Sequence, residues 1–156
     1  MIISQTLLIN WWRDRLGRML LRLRFSPKER AGFISAATET VQIIHNNNHW
    51  ITTACIGERV LVADSLQRPL CDYVVKQLRQ LYAARINSDG VLRVNVVPCQ
   101  TQPNGADCRV FAAAFAFEWA CGNLDLGCSF DVAQMRGHMV KCLELDSIQS
   151  FARAVT

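Results

Sequence analysis

The stretch Val110–Ala120, VFAAAFAFEWA, reads as a helix without a polar face. Alanines and phenylalanines occupy every side of the cylinder, and Glu118 is its one charge. A helix that is apolar all round has to be buried. It therefore belongs at the centre of the fold, with the other elements packed over it. Gly122 stands just past its end, where a glycine closes a helix most easily. The apolar run is too short to span a bilayer, and Glu118 interrupts it. A chain of 156 residues, 51% hydrophobic and 19% charged, is expected to form one domain around such a core.

The elements around this helix can be read in order. Asn10–Phe25 is expected to be helical, because Leu16, Met19, Leu20 and Leu23 fall at helical spacing with arginines between them. Pro27 and Gly32 then break the chain. VQIIH (41–45) and HWITTACI (49–56) are β-rich runs joined by asparagines, which tolerate left-handed backbone angles, so they form a hairpin. ERVLVAD (58–64) gives a third strand. Leu70, Val74, Leu78 and Leu81 mark a helix, and VLRVNVVPCQ (91–100) returns to strand composition. After the loop TQPNGADC (101–108) come the central helix and a last amphipathic helix over Asp131–Leu145, with Asp131 as its N-cap. This order argues for an α+β domain.

Charge is unevenly placed. Residues 1–30 carry seven Arg and Lys against Asp14 and Glu29, a surplus of five, whereas the remainder holds ten basic and eleven acidic residues. The basic arm, 1–32, reads first as a solvated helix face. Nucleic acid, an acidic partner or an organelle-targeting presequence are its other readings, and nucleic acid is not the expected partner. Met1–Trp12 lacks the basic start of a secretory signal. Seven cysteines, an odd number without a CxxC pair, suit buried reduced thiols in the nucleus or cytoplasm.

The loop-to-helix junction ADCRVF (106–111) carries the clearest chemical signal. Asp107 is placed as an N-cap, which puts Cys108 in the first turn of the helix. Helix-start N–H groups and the helix dipole stabilise a thiolate there. A thiolate nucleophile needs a base, and the base needs an orienting group. His49 opens one strand and Asp64 closes the next, so imidazole and carboxylate can meet. Gln102, six residues before Cys108, can donate to a developing oxyanion. His45, at the other end of HNNNHW, is expected to be structural or exposed. His138 and Cys142, at i and i+4 on one helix with Cys121 and Cys128 upstream, allow a zinc reading. No metal or cofactor is expected.

HW (49–50), DS (64–65) and QPNGADC (102–108) together resemble the ubiquitin-like-protein protease family, the SUMO/sentrin-specific cysteine peptidases and their adenovirus-protease relatives. VFAAAFAFEWACG and DVAQMRGHMVKCLE also resemble this family, in particular a transposon-associated branch. The resemblance covers roughly Val41–Glu144. It implies a papain-like or adenain-like fold, a small central sheet packed by helices, over a catalytic domain at 33–156. It implies His49 as base, Asp64 as orienter, Cys108 as nucleophile, Gln102 as oxyanion donor and Trp50 lining the channel for a diglycine tail. The implied reaction is cleavage after the C-terminal glycine of a ubiquitin-like modifier or its conjugates, by a monomer without membrane attachment. The alternative is a weakened or inactive relative that binds such a modifier without cleaving it. Arg109 stands where the family has glycine, and the family's N-terminal substrate-binding segment is not recognisable in residues 1–30.

Overall fold

The computed structural model describes residues 8–13, 19–24, 40–56, 59–86 and 88–155. Among the described residues six strands form one sheet in sequence order: β1 (Leu8–Arg13), β2 (Met19–Arg24), β3 (Thr40–Asn46), β4 (His49–Ile56), β5 (Arg59–Ala63) and β6 (Val94–Val96). All neighbours are antiparallel except β5 and β6, which are parallel because α1 (Asp72–Leu81) intervenes between them. Two further helices follow, α2 (Cys108–Ala120) and α3 (Val132–Glu144). The domain is α+β, as its sequence implies.

The β3–β4 turn shows how closely this region follows its residues. Asn46 pairs with His49, so the loop is Asn47-Asn48 alone. Both have positive φ, 43° and 64°. Two left-handed residues give the turn whose twist matches a two-residue hairpin, and asparagine accepts that backbone at low cost. The turn fixes where β4 begins, and so fixes His49.

Alternation along the strands divides the core in two. Val41, Ile43, Trp50, Ala54, Leu61 and Ala63 lie in one cluster with the residues of α2. Ile44, Ile51, Cys55, Val60 and Val62 lie in the other, against Val74, Leu78 and Tyr82 of α1 and its end. Successive side chains on a strand point to opposite faces, and apolar residues on both faces demand a cover on each. The Tyr82 hydroxyl meets Thr53 Oγ1 at 2.7 Å, and burial pushes it up to about 12 despite that bond.

α2 is enclosed, as its composition requires. Phe111, Phe115 and Ala114 have no exposed surface. They share their cluster with Leu126 and Phe130 of the α2–α3 connection, Met135 and Cys142 of α3, and Ile148 and Phe151 of the C-terminal stretch. Phe111, Phe115, Phe130 and Phe151 form a run of ring contacts 5.8–6.1 Å apart. Glu118, also buried, is paired with Arg153 at 2.8 Å and accepts from Asn123 Nδ2 at 2.7 Å. A buried carboxylate persists only with such partners. The helix ends where Gly122, at φ 87°, lets its N–H reach Trp119 O and that of Asn123 reach Glu118 O. Asp131 caps α3 through Ala133 N at 3.1 Å.

Two expected elements differ. The described residues of Asn10–Phe25 are strand rather than helix: residues 8–13 and 19–24 are antiparallel strands, and β2 pairs with β3 through Leu21↔Ile43 and Arg22↔Gln42. Residues 14–18 and 25 lie outside the described residues. The run LLRLR satisfies a two-residue period as well as a helical one, and the free edge of β3 decides between them. The expected strand over 91–100 shortens to Val94–Val96. Among the described residues no helix is long and apolar enough to cross a membrane.

Candidate active site

His49 begins β4 and Asp64 directly follows β5. The last pair in the β4–β5 ladder is Thr52↔Ala63, so both residues stand at the same end of adjacent strands. His49 Nε2 lies 2.5 Å from Asp64 Oδ1, and both residues are buried. Asp64 also accepts from the N–H of Leu66 at 2.8 Å through Oδ1 and, weakly, from that of Arg68 through Oδ2. Burial alone would raise the Asp64 carboxyl. The hydrogen bond from His49, the Leu66 N–H and the charge of the imidazole outweigh it and hold the carboxyl below its ordinary value. With Nε2 committed to Asp64, Nδ1 is the imidazole nitrogen left for proton exchange.

Asp64 and its neighbour Ser65 hold two different parts of the site. Ser65 Oγ donates to Gln102 Oε1 at 2.6 Å, and Ser65 O accepts from Gln102 N at 2.9 Å. One N–H of the Gln102 amide goes to Asn104 O. A carboxamide nitrogen carries two hydrogens, so the second remains for another acceptor. Gln67 Nε2 reinforces the same junction by donating to Cys99 O and Thr101 Oγ1. The Cys99 thiol approaches Asp64 O, and burial pushes it up to about 11, with the Asp64 charge adding to the effect and that hydrogen bond opposing it.

Cys108 is the first residue of α2 and is 5% exposed. α2 is pinned to β4 by Thr52 Oγ1, which donates to Ala112 O at 2.8 Å, one turn beyond Cys108. Trp50, next to His49, shares a core cluster with Cys108. The Arg109 guanidinium stands 5.7 Å above the Trp50 ring, which brings the start of α2 beside the start of β4. No hydrogen bond joins Cys108 Sγ to His49. Cys121, at the opposite end of α2, is raised to about 11 by burial and by Glu118. Only the start of the helix offers a thiolate N–H groups and a favourable dipole.

Sequence reasoning missed two roles. Asp107 is the N-cap residue, but its side chain makes no cap hydrogen bond. Ser65 orients Gln102. His45 takes a structural place, as expected: its ring packs against Trp50 with centroids 4.8 Å apart. DS and DC were visible as dipeptides, yet the Ser65–Gln102 and Asp107–Arg136 contacts span 37 and 29 positions along the chain. His138 and Cys142 meet at 3.4 Å, and His138 Nε2 also lies 3.0 Å from Gln149 O. Among the described residues no three His, Cys, Asp or Glu side chains converge as metal ligands would. No disulfide joins any of the seven cysteines.

No family model matches the chain, and no curated protein matches it. Among solved structures it is similar to SUMO protease Ulp1 with its catalytic cysteine oxidised to a sulfenic acid, and equally to the same protease with that cysteine oxidised to a sulfonic acid. Each match has 19% identity and a TM-score of 0.53, and covers 68% of this chain. The chain matches 52% of the Ulp1 chain, about half its length. At this identity the likeness is one of fold.

Proposed function

We propose that the chain is a cysteine peptidase that cleaves after the C-terminal glycine of a ubiquitin-like modifier. The observation that carries this reading is the buried His49–Asp64 pair, held at one strand end beside the helix start that bears Cys108. A SUMO protease with a catalytic cysteine shares the fold, which supports the same reading.

The residues divide the chemistry as follows. His49 Nδ1 takes the Cys108 proton, and Asp64 holds the ring and the charge that forms on it. The thiolate adds to the glycine carbonyl carbon. The resulting oxyanion accepts from the free N–H of Gln102 and from the Cys108 N–H at the start of α2. Collapse expels the amine, protonated by His49, and leaves a thioester. Water, deprotonated by His49, then releases the glycine carboxylate and restores the thiol. Trp50 flanks the diglycine tail, where only glycines fit beside a large ring. On this reading the chain acts as a monomer on a modifier or its conjugates, in the nucleus or cytoplasm, with no cofactor.

Arg109 over the Trp50 ring favours one alternative, a module that binds a modifier without cleaving it. A modifier precursor extended beyond its diglycine separates the two. Release of the extension, lost in Cys108→Ser, supports the peptidase. Stable binding without release supports the module, and no interaction with any modifier in a panel of SUMO, NEDD8 and ubiquitin contradicts both.

A further inference from the structure

An aspartate before a helix ordinarily turns its carboxylate onto the N–H of the second or third helical residue. Asp107 does not. Its Oδ1 accepts from Arg136 Nε of α3 at 2.6 Å, and its Oδ2 accepts from Asn104 Nδ2 at 2.6 Å. Asn104 Oδ1 in turn accepts from the N–H of Ala106 at 2.8 Å and of Asp107 at 3.1 Å. Asn104 O accepts from the Gln102 amide. The carboxylate is thus held from two sides, and the network that holds it ends at Gln102.

The other charged or titratable groups linked to this region are Arg109 on α2, over the Trp50 ring; His45 at the end of β3, against the same ring; His49 of β4, paired with Asp64 after β5; and Cys99, at Asp64 O. Asp107 is the anion covalently adjacent to Cys108. If its carboxylate were released, it would cap the helix. It would then take up a first-turn N–H of α2 that favours a thiolate there, and it would set a negative charge against that thiolate. The Arg136 side chain is 64% exposed. A pair with one partner so exposed contributes little to stability. Its effect on the helix start is therefore separable from an effect on folding.

We infer that Arg136 is a positioning residue: it holds the Asp107 carboxylate off the start of α2, which leaves the first-turn N–H groups and the helix dipole to a Cys108 thiolate and keeps negative charge away from it. The inference deepens the peptidase reading and rests on Cys108 as its nucleophile. Its test needs no modifier, so failure of cleavage and failure of the inference are distinguishable.

The rate of Cys108 alkylation by iodoacetamide, resolved by peptide mass spectrometry, is measured across pH beside thermal midpoints. Arg136→Gln is expected to move the pH midpoint of alkylation upward by about one unit, a roughly tenfold slower rate at any pH below it. Arg136→Lys stays near the parent. Adding Asp107→Asn to Arg136→Gln returns the midpoint to the parental position, because no carboxylate remains to swing inward. Asn104→Ala, which removes the other tether, shifts the midpoint in the same direction and serves if Arg136→Gln does not fold. An unchanged midpoint in the folded Arg136→Gln or Asn104→Ala protein overturns the inference. So does a shift that persists in the double variant. A merely structural role for Arg136 lowers the thermal midpoint and leaves the pH profile in place.

Discussion

His49 and Asp64 are placed by backbone: a two-residue asparagine turn sets the start of β4, and the ladder register brings Asp64 to the same sheet end. Cys108 and Gln102 stand on a loop-to-helix junction that depends on side-chain hydrogen bonds as well. Ser65 and Asn104 hold the Gln102 amide, Arg136 and Asn104 hold Asp107, and Thr52 pins α2 one turn further on. The difference teaches where each half is vulnerable. A sheet register cannot shift by one residue without turning every side chain to the other face. A loop held by hydrogen bonds can drift by fractions of an ångström while the fold stays intact, and an acyl-transfer site is sensitive to drift of that size.

Substitutions can break this comparison at different depths. Cys108→Ser removes the nucleophile and abolishes modifier cleavage, with the thermal midpoint little changed. His49→Ala removes the base and lowers kcat/KM by about 10²–10⁴-fold. Residual activity near the parental level would break the pairing of the two halves. Gln102→Ala costs about 10²–10³-fold in kcat if its amide is the oxyanion donor. Ser65→Ala leaves the donor present but loosely held, so it costs less than Gln102→Ala, at most about 10²-fold, and falls on kcat rather than KM. Equal effects on KM would instead make Ser65 a binding residue.

Acid stability sharpens the same contrast. The Asp64 carboxyl lies below its ordinary value of 3.8, so the native state binds fewer protons than the unfolded chain as pH falls. Its contribution to stability is complete above that ordinary value and is lost as pH falls through the lower native value. Denaturant midpoints of the parent and of Asp64→Asn are therefore expected to differ most near neutrality and to converge in strong acid. A gap that persists in acid would show that Asp64 contributes nothing through its charge. The smallest expected effect is that of Arg109→Gly. Clearing the cation from Trp50 raises kcat/KM for a diglycine-tailed substrate without lifting the requirement for Cys108, and an unchanged or lower rate contradicts crowding there.

The legible parts of the sequence were those where local chemistry and global fold agree. VFAAAFAFEWA demanded burial and is buried. HNNNHW specified a turn and the strand that follows it, and Gly122 stands at a helix end that needs positive φ. The N-terminal residues misled because MLLRLR fits two periods and its pairing with β3 is decided from outside the segment. Ser65, Asp107 and Arg136 were visible as residues but not as roles. The Ser65–Gln102 and Asp107–Arg136 contacts span 37 and 29 positions along the chain, and no local pattern encodes such pairings.

The account's central claim is that the two halves, placed by different means, meet at Cys108. A ubiquitin-like modifier ending in a diglycine electrophile, incubated with the chain and followed by peptide mapping, tests it most directly. The prediction is a single covalent adduct on Cys108, abolished in His49→Ala and Cys108→Ser. An adduct on the exposed Cys71, or one on Cys108 that forms equally fast without His49, would contradict it.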